Sequence, residues 1–337
     1  MKNLKNENVN IIAEGEINHN GDVEIAKKLV SAAHECGADM IKFQCFVTDS
    51  FIAPGSSFLP IFRENELSLE EFRAVRDHAE KVGITMISTA GDLEGLAMIV
   101  DLDLPVIKVG STNITHASLL RAIAATGKPV YLSTGASTLD EIKAAVDILQ
   151  SGGSGEITLF HCTVQYPAND DVLNLRSITT MRDAFPGIAI GYSDHSRGAL
   201  AAAAAVALGA TVVEKHFTLD HDMPGPDHSF SSDPAEFDEY VKTIRAAEVM
   251  LGSPDKVPTA IEEGVRLNGR RYLTAMTDIP AGTRIEQHMI RTRRIDATRV
   301  DPKTLLGPEI EDAVVGAIAA RAIPAGTTIT GADIEGI

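Results

Sequence analysis

The sequence predicts a (β/α)8 barrel of the α/β class followed by a small β-rich domain, and three observations carry that prediction. Up to about Gly252, eight short apolar runs alternate with longer segments of helical period. Each run ends on polar residues suited to chemistry. Beyond Gly252 the pattern changes, and a short Pro-Ala-Gly phrase occurs twice.

The apolar runs span 10–13, 40–43, 85–88, 106–109, 130–132, 157–160, 189–191 and 212–214. They are apolar on both faces, as a parallel sheet covered by helices requires. Helical periodicity fills 23–36, 68–82, 138–150, 199–208 and 234–251. Ser68, followed by Glu70 and Glu71, and Thr138, followed by Asp140 and Glu141, read as helix caps. Glu14, Lys42, Thr89, Lys108, Ser133, His161, Ser193 and His216 stand at or just past successive strand ends. That placement suits the C-terminal mouth of a barrel, where catalytic groups gather on loops free to vary. An open doubly wound sheet leaves it unexplained.

The barrel is expected over 1–252, a polar linker with Pro254 and Pro258 over 253–270, and the second domain over 271–337. Asp278-Ile279-Pro280-Ala281-Gly282-Thr283 returns as Ala322-Ile323-Pro324-Ala325-Gly326-Thr327. Each copy reads as a strand pair joined by a tight turn, giving a small pseudo-symmetric unit.

Composition narrows the class of function. A net charge of -17 disfavours nucleic acid or anionic membrane as partners. An anionic substrate would need a basic island in this acidic chain. Cys36, Cys45 and Cys162 are too few and scattered for a disulfide framework or a thiolate zinc site. The polar N-terminus does not read as a signal peptide, and the Ala-rich run at 199–210 is too short to span a bilayer, so a cytoplasmic location is expected.

Lys42 and Lys108 each interrupt an apolar strand. A lysine turned into a barrel is costly unless it meets an anion. Thr89, Ser111 and Ser133 add hydroxyls at the same level, beside glycines whose backbone N–H groups are open to an anion. Charge plus directed hydrogen bonds suits a phosphate or a carboxylate. His195 and His216 end adjacent strands and can share one divalent metal, with Asp194 and Glu214 as candidate outer partners of the imidazoles. His161 reads as structural. Glu14 and Glu16 crowd the end of the first strand, and the rigid turn at 224–230 presents Asp227.

Together the segments Asn18-His19-Asn20-Gly21, Lys42-Phe43-Gln44, Ser88-Thr89, Lys108-Val109-Gly110-Ser111, Leu132-Ser133-Thr134-Gly135, Gly191-Tyr192-Ser193-Asp194-His195, Glu214-Lys215-His216-Phe217-Thr218 and Pro224-Gly225-Pro226-Asp227-His228 resemble the sialic (nonulosonic) acid synthase family. The tail resembles that family's antifreeze-like (SAF) domain. The resemblance covers roughly residues 10 to 337 and implies condensation of phosphoenolpyruvate with an N-acetylmannosamine-type aldose. It implies phosphoenolpyruvate contacts from Lys42, Thr89, Lys108, Ser111, Ser133 and Ser193. Sugar contacts would come from Glu14, Gln44, Tyr166, Asp227 and Arg294. Mn2+ or Mg2+ would be held by His195 and His216. Delivery of Arg294 to the sugar implies a domain-swapped homodimer.

Departures sit toward the sugar. The family usually carries Glu where this chain has Asn113, which cannot accept a proton. Glu16 stands where the family has Gly, so Glu16 is expected to take over the lost acid's role. Val164 replaces a polar residue, and Ile295-Asp296 replaces Pro-Gly after Arg294. These changes imply an altered acceptor sugar. Two other readings stay open: another phosphoenolpyruvate-dependent sugar-acid synthase, and a non-catalytic homologue that binds a sugar acid.

Overall fold

The computed structural model describes residues 8–296 and 301–337. Within them the chain forms two compact units that divide between Gly252 and Ser253.

All eight expected strands form in the first unit. They are β1 (Asn10–Glu16), β2 (Met40–Cys45), β3 (Thr85–Ala90), β4 (Ile107–Val109), β5 (Val130–Ser133), β6 (Ile157–Cys162), β7 (Ala189–Asp194) and β8 (Val212–His216). Each pairs in parallel with the next, and β1 pairs with β8, so the barrel closes. One principal helix follows each strand, from Val23–Glu35 after β1 to Pro234–Leu251 after β8. Ser68 with Glu71 and Thr138 with Glu141 form complete capping boxes, each satisfying backbone N–H groups that a helix start leaves unpaired.

Strand alternation sorts the side chains. Ile12, Met40, Ile87, Val106, Tyr131, Phe160 and Val212 form an apolar plug inside the barrel. Two residues further along their strands come Glu14, Lys42, Thr89, Lys108, Ser133, Cys162 and Glu214, so the plug is the floor on which a charged layer stands. Lys108 Nζ lies 4.8 Å from the Phe160 ring centre, at the boundary between the layers. Gly191 makes room for that ring: a Cβ there would come within 2.9 Å of Phe160 Cε1. The other face of each strand, including Ile11, Ala13, Ile41 and Phe43, packs against the helices in the main core.

In the second unit, the polar stretch after Gly252 carries a helix, Ala260–Gly269, capped by Thr259 and Glu262. Two antiparallel strands follow, β9 (Tyr272–Ala275) and β10 (Ile290–Arg293), over a core that includes Leu273, Ile279, Ile285, Ile323 and Ile329. The two Pro-Ala-Gly copies do not each form their own strand pair, as the sequence suggested. They pair with one another: Ile279 and Ile323 exchange backbone hydrogen bonds of 2.9 and 2.8 Å. Reciprocity extends outward, with Ala275 N donating to Thr327 O and Ala319 N to Thr283 O, both at 2.9 Å. Gly282 and Gly326 both turn at φ +79°, which glycine adopts without steric cost. Neither copy alone could bury its isoleucine, so each supplies the other's partner.

Candidate active site

At the barrel mouth the backbone sets charge against charge. The parallel register places Glu14 opposite Lys42 on one side and His216 on the other, and Ser193 opposite Glu214. Lys42 Nζ forms an ion pair with Glu14 Oε1, donates to Thr89 Oγ1 at 3.3 Å and lies 3.5 Å from Glu214 Oε2. Lys108 Nζ donates to both Glu214 oxygens, at 2.6 and 2.7 Å, and Ser193 Oγ donates to Glu214 Oε1 at 3.0 Å. The expected basic island is therefore an alternating lattice of two lysines and two glutamates.

Titration follows from that lattice. Burial opposes the charge on Glu14, but Lys42 and Lys108 outweigh it and draw its pKa down to about 2. Burial likewise opposes the charge on Lys42, and Glu14, Glu214 and Glu16 more than offset it, raising its pKa. For Lys108 burial wins despite Glu214, and its pKa is lowered.

Hydroxyls border this layer. Ser111 Oγ accepts from Gly135 N at 3.0 Å and lies 3.1 Å from Cys162 Sγ, while Thr89 and Ser133 are buried. Gly135 is tightly enclosed: a Cβ there would stand 2.5 Å from Val164 Cγ2 and 2.7 Å from Cys162 Sγ.

On the other side of Glu14 the site is imidazole and aromatic. His195 and His216 have ring centres 5.3 Å apart. His195 Nδ1 donates to Thr163 O at 2.7 Å, which leaves Nε2 as the lone-pair nitrogen. His216 Nδ1 is buried with no hydrogen-bond partner. Burial lowers the pKa of both, and for His216 the neighbouring His195 and Lys42 push it further down, which favours the neutral form of each imidazole. Tyr166 lies 4.3 Å from His195 and 5.2 Å from Phe230, which in turn lies 5.1 Å from His216 (all between ring centres).

Glu14, Glu16 and His216 can each turn one ligand atom to within 4.8 Å of the others. One imidazole with an unpartnered buried nitrogen and two carboxylates make a donor set for a divalent cation, and His195, its ring centre 5.3 Å from that of His216, stands outside this group. The residues present fit a divalent cation. Glu16 is hydrogen-bonded to Asp227. Burial, then Glu14 and Asp227, hold the Glu16 carboxyl well above its ordinary range. Burial and Glu14 raise Asp227 to about 6.

Some expected partnerships are rearranged. Glu214 does not back an imidazole; it holds the lysines. Asp194 pairs at 3.2 Å with Lys215 outside the barrel, where Lys215 also faces the Tyr240 ring at 5.2 Å. Strand alternation explains both: in β7 and β8 the inward set is Ser193, Glu214 and His216, and Asp194 and Lys215 face the helices. Asn113 donates its amide to Ala90 O and Gly91 O at 3.2 and 3.1 Å, and no hydrogen bond or ion pair joins it to Glu16 among the described residues. His161 donates Nε2–H to Leu173 O at 2.7 Å and takes no part in the imidazole pair. Gln44 is buried at the end of β2, and Arg294 is exposed in the second unit. Sequence reasoning passed over Phe230 and the lysine-holding role of Glu214. Counting inward positions along β8 would have revealed the latter.

A closed (β/α)8 barrel whose mouth gathers buried lysines, carboxylates and paired imidazoles defines the chain as a barrel enzyme. The chain belongs to the NeuB family, whose profile matches residues 29–256, and a SAF domain matches residues 270–335. It is 36% identical to the N,N'-diacetyllegionaminic acid synthase of Legionella pneumophila, over 96% of this chain and 94% of that protein. It is 46% identical to an uncharacterised protein of Methanocaldococcus jannaschii, over 86% of each. Among solved structures, the N-acetylneuraminic acid (sialic acid) synthetase of Leptospira borgpetersenii, in complex with citrate, superposes with a TM-score of 0.73 at 32% identity. That match covers 76% of this chain and 90% of the other. No helix among the described residues is long and apolar enough to cross a membrane.

Proposed function

We propose that this enzyme condenses phosphoenolpyruvate with an N-acylated amino aldose of the mannosamine type, giving a nine-carbon 2-keto sugar acid and phosphate. The observation that carries the reading is the juxtaposition, across Glu14, of the Lys42–Lys108 layer with the His195–His216 pair. One side is built for an anion and the other for a polarised oxygen.

Lys42 and Lys108, with Thr89, Ser111, Ser133 and Ser193, would receive the phosphate and carboxylate of phosphoenolpyruvate. The aldose would lie against Gln44, Tyr166, Asp227 and Phe230. Arg294 would come from the second unit of another copy, in a domain-swapped dimer. His195 and His216 would hold Mn2+ or Mg2+, which when bound supplies Lewis acidity to the aldehyde oxygen. Carbon–carbon bond formation runs from C3 of the enol to the aldehyde carbon, whose oxygen takes up a proton. Water then adds at C2, and the C2–O bond to phosphate breaks.

The charged lattice gives each step a proton handler. An arriving anion draws Lys42 toward itself, and Glu14, released from its ion pair, becomes a stronger base for the water that attacks C2. Asp227, raised to about 6, would exchange a proton with the aldehyde oxygen. Asn113, tied to the Ala90 and Gly91 carbonyls, would steady the loop after β3. Glu16, beside both His216 and Asp227, would set the polarity of the aldehyde side.

Phosphate release from phosphoenolpyruvate with Mn2+ across a panel of acetamido aldoses tests this reading. Turnover with N-acetylmannosamine or with a 2,4-diacetamido-dideoxy aldose is the expected result, and the preferred member identifies the acceptor. A protein that binds a sugar acid and releases no phosphate with any aldose is the non-catalytic homologue.

A further inference from the structure

We propose that Glu16 is itself a protein ligand of the divalent cation at His216, so that a carboxylate completes what two imidazoles begin. This deepens the reading that a cation is held at His195 and His216, and rests on it.

The backbone supplies the first argument. Between Glu14 and Glu16 the pairing of β1 with β2 slips by one residue, a bulge in the strand. Glu16 sits there at φ +34°, in the left-handed region that a side chain with a Cβ rarely adopts and that costs on the order of 1 kcal/mol or more. Gly15 lets the bulge press against Phe43, since a Cβ would stand 2.8 Å from Phe43 Cε1. The bulge turns the Glu16 carboxylate back toward the mouth, as bulges beside active sites commonly re-aim a side chain.

Distance supplies the second. Glu16 Oε2 lies 3.7 Å from His216 Nδ1, too far for a hydrogen bond. Two ligands of one ion, each about 2.1 Å from it, stand roughly 3 to 4 Å apart. His216 Nδ1 is among the few buried polar atoms of the described residues without a hydrogen-bond partner, and a buried polar atom left so calls for an explanation. A cation between the two atoms provides one.

Charge supplies the third. Glu14 is matched by Lys42, and Glu214 by Lys108. Among the described residues no lysine or arginine lies within 4 Å of the carboxylate oxygens of Glu16 or Asp227. Ionising both carboxyls together there is costly, and a divalent cation offsets that cost. The bare alternative, a Glu16 carboxyl that only donates a hydrogen bond to Asp227, explains neither the strained backbone nor the orphaned nitrogen.

The test is direct titration of the full-length protein with Mn2+, reading free Mn2+ by electron paramagnetic resonance without phosphoenolpyruvate or sugar. Wild type is compared with Glu16→Gln and Glu16→Gly. Glycine adopts φ +34° freely, so Glu16→Gly keeps the fold even if the glutamine variant does not. The expected result is a dissociation constant raised at least about tenfold in both variants, with Glu16→Gly unchanged or higher in melting temperature without metal. Wild-type binding with both variants within threefold of it overturns the ligand role alone. A wild-type protein that takes up no Mn2+ overturns the cation reading and this ligand together.

Discussion

Lys108 Nζ donates to both oxygens of Glu214, at 2.6 and 2.7 Å, at a depth where each side chain is at most 2% exposed. Ser193 donates to the same carboxylate, and Lys42 lies 3.5 Å from it. Glu214 thus holds two ammonium groups together beneath the mouth. Removing one partner of a buried pair leaves the other charge uncompensated. Glu214→Gln should lower unfolding stability by about 3 kcal/mol or more, read by urea denaturation. The double variant Lys108→Met, Glu214→Leu should recover most of that loss.

Gly135 governs the hydroxyl side. Its N–H holds Ser111 Oγ, and a methyl group there would also press to 2.9 Å from that oxygen. Gly135→Ala should displace Ser111 and raise KM for phosphoenolpyruvate at least about tenfold, by the loss of one or two charge-assisted hydrogen bonds. Initial-rate kinetics at saturating sugar check this, and an unchanged KM would remove Ser111 from the donor site.

His19 carries a pH dependence of stability. Burial draws its pKa down to about 4, and Nδ1 accepts from Gly21 N at 3.1 Å, so a second proton would set N–H against N–H. It packs edge-on to Phe72 with ring centres 6.4 Å apart. A histidine with a depressed folded pKa is neutral in the fold and charged in the acidic unfolded chain. Its contribution is fully present above about pH 6.5, where the unfolded imidazole is also neutral, and is lost progressively as pH falls from there to about 4. Denaturation at pH 7 and pH 4.5 should differ more in wild type than in His19→Gln.

Much of the fold was legible because a parallel sheet covered on both faces forces continuous apolar runs, and eight of them with polar residues at successive ends fit a closed barrel better than an open sheet. Lys42, Lys108, His195 and His216 stood out because each breaks such a run or ends it. What stayed hidden was pairing. Glu214, Lys215 and His216 are adjacent in the chain, yet alternation sends Lys215 to Asp194 outside and the others inward. The tail's repeat likewise announced two-fold symmetry without saying that Ile279 pairs with Ile323. The bulge that aims Glu16 depends on the close approach of Gly15 to Phe43, which no local pattern reports.

Arg294 carries the prediction about assembly. Under a swapped dimer, His216→Ala and Arg294→Ala are each inactive, yet mixing them after partial unfolding should restore turnover. Each hybrid then holds one site with both residues intact. Restoration measured by phosphate release supports delivery by a second copy; its absence, with dimers formed, places the arginine's work in its own chain.

The fate of water oxygen shows which bond to phosphate breaks. The reaction is run in 18O-labelled water with phosphoenolpyruvate, Mn2+ and the preferred aldose, and the phosphate is analysed by mass spectrometry. Water attack at C2, with the bridging oxygen leaving on phosphorus, predicts unlabelled phosphate formed one-to-one with a nine-carbon keto acid. Phosphate carrying one 18O would mean attack at phosphorus, and would rule out water addition at C2.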